Sequence, residues 1–121
     1  PDVKLFGAEP MGADDAYHSL KEGRIVPQTE PDTICDGLLT SLGELTWDIL
    51  KDHIEAIYRV TDDEVIDSMK IILEEMKIMI EPSCATAVAA VLSSEFKALE
   101  GLERVGVILT GGNIEKTKLP F

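Results

Sequence analysis

A chain of 121 residues holds one domain's worth of polypeptide, and with 45% hydrophobic residues it can bury a core. Aromatics make up only 5%, so aliphatic side chains must fill that core. A formal charge of −12 argues against a nucleic acid polymer or an anionic membrane as partner, because both demand cationic side chains. It suits a divalent cation. No run of about 18 apolar residues is available to span a bilayer. The opening Pro1-Asp2-Val3-Lys4 has neither the basic flank nor the apolar stretch of a signal peptide. A start without methionine, with a strand-like run by Val3, reads as a chain entered partway through. Cys35 and Cys84 make neither a disulfide framework nor a zinc site, and they read as small buried residues of a reducing, cytoplasmic protein.

In chain order, Val3 to Ala8 is expected as a strand that Pro10 and Gly12 break, and Ala13 to Glu22 as a short helix. Gly23 to Pro31 is loop, punctuated by Gly23, Pro27 and Pro31. Thr33 to Thr40 reads as a helix with Asp32 as N-cap. After Gly43, Leu45 to Ile54 reads as a helix with Leu45, Ile49 and Trp47 turned inward, and Ala56 to Val60 as a second strand. Thr61 and Glu64 stand at the spacing of a capping box. Behind them Val65, Met69, Ile72, Leu73 and Met76 recur at helical period, with Asp63, Asp67, Lys70, Glu74 and Lys77 on the other face. Ser83 is placed to cap a helix of small residues, Cys84 to Glu95. A last strand, Arg104 to Leu109, is apolar at most positions and too short for a helix. Strands alternating with helices favour an α/β fold with a mainly parallel sheet flanked by helices.

Four constellations can carry chemistry. Thr110 follows the last strand and precedes Gly111, Gly112 and Asn113, so its hydroxyl stands where open α/β sheets bind ligands. A neutral hydroxyl facing a ligand ring nitrogen would leave that nitrogen unprotonated; the plain alternative is a turn. Glu9 ends a strand while Asp14 and Asp15 open a helix, which offers oxygen donors to Mg²⁺ or Ca²⁺. Complementing the helix dipole explains the two aspartates equally well. Asp36-Gly37 suits a turn or a carboxylate at a helix end. Lys77 lies on a polar helix face, where a solvated lysine is the default. His18 and His53 have no partner at metal-ligand spacing, and Gly-x-Gly-x-x-Gly is absent.

In combination, four stretches resemble the C-terminal part of the fold-type II pyridoxal-phosphate enzymes, and within them the serine racemase and threonine dehydratase group. They are Glu9-Pro10 to Ala13-Asp14-Asp15, Thr33-Ile34-Cys35-Asp36-Gly37, Ile80-Glu81-Pro82-Ser83 and Leu109-Thr110-Gly111-Gly112-Asn113, in the family's order. The resemblance runs from about Leu5 to Asn113 and implies that residues 1–121 are the C-terminal portion of the large cofactor-binding domain. It gives Thr110, with Gly111 and Glu81, to pyridoxal phosphate, and Asp36 and Gly37 to the substrate pocket. It gives Lys77 and Asn113 to a nucleotide site at which ATP activates, and Glu9, the carbonyl of Ala13 and Asp15 to a structural Mg²⁺ or Ca²⁺. Cys35 and Gly12 stand where relatives carry Ala and often Asn, and Cys84 where many carry Gly. The cofactor-bearing lysine, the phosphate cradle and the opposite-face serine belong to the family's N-terminal part, so no catalytic residue is assigned here and the fragment alone is expected to be inactive. The activity implied is removal of the α-proton of serine, followed by racemisation to D-serine or loss of the hydroxyl to give pyruvate and ammonia. Threonine or hydroxyaspartate dehydratase is the second reading, and a non-catalytic acidic domain that binds a cation is the third. Partners implied are a small amino acid, the N-terminal part of the same enzyme and a second copy in a homodimer.

Overall fold

A computed structural model describes residues 3–121. Strand β1, Leu5–Pro10, leads into helix α1, Asp15–Glu22; helix α2, Glu44–His53, leads into strand β2, Ile54–Val60. Helix α3, Asp62–Ile71, runs on into a π-helical stretch, Ile72–Met76. Helix α4, Pro82–Leu92, and the short α5, Ser94–Lys97, come next. Among the described residues the sheet has two strands, β1 and β2, paired in parallel so that Glu9 lies beside Arg59 and Pro10 beside Val60. The α/β class and the parallel pairing agree with the sequence pattern.

The core sits between this sheet and the α3–α4 pair. Val60, Val65, Met69, Ile72, Ile80, Ala85, Ala89 and Phe96 are buried in it together with Cys35 and Cys84. Phe6 and Tyr58 each meet Phe96 edge to face at 5.4 Å between ring centroids and tilt against each other at 6.0 Å. Alanines at 85, 89 and 90 let α4 approach α3 and the sheet closely. The capping box is formed as expected: the Glu64 N–H donates to Thr61 Oγ1 and the Thr61 N–H to Glu64 Oε2.

Six expectations need correction. No helix covers Thr33 to Thr40, where only a 3-10 turn, Asp36–Leu38, forms. The segment's backbone donors are claimed from outside, because the Ile34 N–H goes to Asp62 and the Gly37 N–H to Ser83. Ser83 consequently does not cap α4: Pro82 is the first helical residue and Glu81 takes the N-cap position. That helix ends at Leu92, where Ser93 caps α5 instead.

Leu45 and Ile49 point outward, 94% and 63% exposed, because no described element packs extensively on α2. Trp47 is half-buried. The apolar stripe of α3 holds through Ile72 and then fails, leaving Met76 half exposed. The π-helical widening holds more residues per turn and rotates the downstream side chains out of register. Arg104 to Leu109 forms no strand. It lies across a cavity of about 540 Å³ from β1, which denies it a ladder partner.

Candidate functional site

The carboxyl end of β1 and the first turn of α1 form one acidic cradle. Glu9 reaches past the end of β1 and accepts from the N–H groups of Ala16 (3.2 Å) and Tyr17 (2.8 Å). These are orphan donors of the α1 N-terminus, so Glu9 acts as a remote cap. Asp15 is buried and accepts from the Leu42 N–H at 2.6 Å and from Gln28 Nε2 at 3.3 Å. Asp14 pairs with Arg59 at 3.1 Å and with His18 at 3.3 Å. Burial pushes the Glu9 carboxyl up from its ordinary 4.5 to about 7. The helix N–H bonds oppose that shift, and the charges of Asp15 and Asp14 add to it.

The donor set suits a hard cation. The Ala13 residue is only 1% exposed, and among the described residues its carbonyl accepts no backbone hydrogen bond. The Ala16 and Tyr17 amides that lie downstream of it donate to Glu9 instead. Among the described residues no three His, Cys, Asp or Glu side chains gather as a metal cluster, so an ion here would rely on the Glu9 and Asp15 carboxylates, the donor-free Ala13 carbonyl and water, a set that a hard divalent cation accepts. Gly12 is held here by a contact that no side chain tolerates, since a Cβ would fall 1.8 Å from the Asp32 carbonyl oxygen. The Asp32 N–H donates to the Gly12 carbonyl at 2.9 Å, which locks this loop to the 32–38 segment.

A second constellation gathers around the N-terminus of α4. Glu81 links two segments: its N–H donates to the Gly111 carbonyl (3.2 Å) and its Oε2 accepts from the Asn113 N–H (3.1 Å). Gly112 passes so close to residues 79–80 that a Cβ would lie 2.5 Å from the Met79 carbonyl oxygen. Asp36, Glu81, Gly112 and Asn113 line one cavity of about 550 Å³. Gly37 is exposed beside it and donates its N–H to Ser83 Oγ at 3.0 Å.

Thr110 and Gly111 adjoin this cavity in sequence without lining it, and Thr110 is exposed. Lys77 lies outside the lining too. It terminates the π-helical stretch with a φ of 59° and its ammonium bonds the carbonyl of Glu74, so it closes its own helix end. Cys35 and Cys84 are buried in the core, where desolvation pushes the Cys35 thiol up to about 11 and keeps it unreactive.

The family model for "Pyridoxal-phosphate dependent enzyme" matches residues 1–111. This chain belongs to that family. It is 47% identical to the serine racemase of Dictyostelium discoideum over 98% of its length, and 45% identical to the beta-hydroxyaspartate dehydratase of Paracoccus denitrificans over all of it. The solved structure of maize serine racemase superposes with a TM-score of 0.93 at 38% identity, covering 98% of this chain. The chain spans only 37% or 38% of the length of these relatives. The fold-type II class read from the four motifs is thereby borne out.

Sequence reading missed the residues that hold these segments in place. Asp62 receives Thr33 Oγ1 at 2.5 Å and the Ile34 N–H at 3.0 Å, tying the 33–37 segment to the start of α3. Gln28 and Arg59 were also passed over, and Ser83 was read as a helix cap rather than as the acceptor for the Gly37 N–H. Arg59 was discoverable only from the register that sets it beside Glu9. Among the described residues no helix is long and apolar enough to cross a membrane.

Proposed function

We propose that the intact protein is a pyridoxal-phosphate-dependent enzyme that racemises serine and also eliminates its hydroxyl to give pyruvate and ammonia. The observation that carries this reading is the convergence of Asp36, Glu81 and Asn113 on one cavity, in a chain similar to serine racemases over nearly its whole length. When bound, the cofactor supplies the electron sink for the pair left by the departing α-proton. This chain contributes the wall around it. Thr110, whose hydroxyl is exposed, would face the ring nitrogen, and Gly111 and Gly112 would let the backbone lie close to it. Glu81 fixes the segment from Gly111 to Asn113, and Asp36 with Gly37 borders the substrate. Residues 1–121 act as the C-terminal portion of the large domain, and the groups that move protons lie elsewhere in the enzyme.

The same proposal includes a structural Mg²⁺ or Ca²⁺ on Glu9, the Ala13 carbonyl and Asp15. It includes ATP as an activator near Lys77 and Asn113, and a cytoplasmic homodimer. The near-equal identity to a beta-hydroxyaspartate dehydratase favours a dehydratase as the second reading. Incubating the full chain with L-serine and separating the products decides between them. D-serine together with pyruvate supports the proposal. Keto acid without D-serine, from serine, threonine or hydroxyaspartate, transfers it to the dehydratases. Full chain that binds no pyridoxal phosphate rejects both.

A further inference from the structure

Glu9 and Arg59 are neighbours across the parallel strand pair, yet they do not bond each other. Both turn instead to the first turn of α1. Glu9 takes the N–H groups of Ala16 and Tyr17. Arg59 takes the Asp14 carboxylate at 3.1 Å and lays its guanidinium 4.2 Å from the centroid of the Tyr17 ring. The turn from Ala13 to Tyr17 is thus gripped at its backbone by one strand and at its side chains by the other. Asp14 is largely buried while Arg59 is about one-third exposed, so the pair has one wet side.

We propose that Arg59 is a positioning residue for the divalent-cation cradle, an inference that rests on the cation reading given above. Three carboxylates crowd this turn: Glu9, Asp14 and Asp15. A divalent ion neutralises two. Arg59 removes the third by engaging Asp14, and the guanidinium stacked on Tyr17 fixes the turn from which Asp15 and the Ala13 carbonyl project. A planar, forked cation does both tasks at once, which an ammonium cannot.

The sign of the effect separates positioning from simple electrostatics. Deleting a nearby positive charge would by itself tighten cation binding. Losing the group that aims the donors loosens it, as loss of residues that orient metal ligands commonly does by about tenfold or more. The test is calorimetric titration of the metal-stripped full chain with Mg²⁺, alongside its melting temperature without Mg²⁺. Arg59→Met is expected to weaken Mg²⁺ binding about tenfold, and Arg59→Lys to recover part of that loss. In an Asp14→Asn background, Arg59→Met should add little. Unchanged or tighter binding by Arg59→Met, with only a lower melting temperature, overturns the inference and leaves Arg59 a structural contact. Should Arg59→Met fail to fold, Arg59→Lys binding as tightly as the parent overturns it equally. Glu9→Gln tests the underlying reading separately. If it binds Mg²⁺ as the parent does, the cation site itself is misassigned; if it abolishes binding while Arg59→Met does not weaken it, only the role of Arg59 falls.

Discussion

At the scale of single residues, Glu9 carries the clearest physical signature. Its carboxyl titrates near 7 in the folded chain against 4.5 ordinarily, chiefly because it is desolvated. Between those values the folded state keeps a proton that the unfolded state has released, so stability falls as pH rises from about 5 to 8. In the presence of a chelator, denaturant unfolding should show stability declining across that window, by less than the full shift implies because Glu9 is partly screened by solvent, and Glu9→Gln should flatten it. The glycines of the 111–112 pair differ in the same concrete way. A methyl group on Gly112 meets the Met79 backbone at 2.5 Å, whereas one on Gly111 meets the Glu81 carboxylate at 3.2 Å. Backbone cannot yield and a side-chain end can. Gly112→Ala should therefore cost about 1–3 kcal/mol in unfolding experiments, and Gly111→Ala under about 1 kcal/mol.

At the scale of elements, the chain's punctuation was legible where the signal is local and lost where it is not. The capping box at Thr61 depends on neighbours in sequence and stands as read, whereas β1 runs on through Pro10, paired with Val60, and ends only before the turn at Met11 and Gly12. The 33–38 segment does not stand as read, because its conformation is set by Asp62 and Ser83, 28 and 46 residues downstream of their bonded amides. The cradle shows the same division. Glu9, Asp14 and Asp15 could be picked out by spacing and the Ala13 carbonyl through the family resemblance, but Arg59 becomes visible only once β1 and β2 are in register, and Gln28 and the Leu42 amide only once the loops are folded onto Asp15. Two substitutions expose the contrast. Thr61→Ala removes a helix cap and should cost about 1 kcal/mol. Asp62→Ala removes the acceptor for two donors of another segment, so about 2 kcal/mol or more is expected, accompanied by faster amide exchange at Ile34 while α3 itself stays protected.

At the scale of the whole molecule, the decisive feature is a sheet with room left in it. β1 faces Gly101 to Ile108 across the 540 Å³ cavity, and of the apolar side chains that suggested a strand there Val105, Val107 and Ile108 are exposed, Ile108 at 81%, while Leu109 rests half-buried against the core. Among the described residues, the amides from 104 to 110 donate no backbone hydrogen bond. An apolar run of that kind reads as a central strand because it is written for burial on both faces, and it stays unpaired when only two strands are present. Relatives more than twice as long have ample chain to occupy the space. Hydrogen exchange on the 121-residue polypeptide by itself should show the 104–110 amides exchanging as fast as an unstructured peptide, while Val60, Met69 and Ala89 in the core exchange slowly. The same segment within a full-length relative-sized enzyme should be protected to the level of β1 and β2. Protection of 104–110 in the isolated polypeptide would mean that the cavity closes without further strands, and that Thr110 at its end is already held by this chain alone.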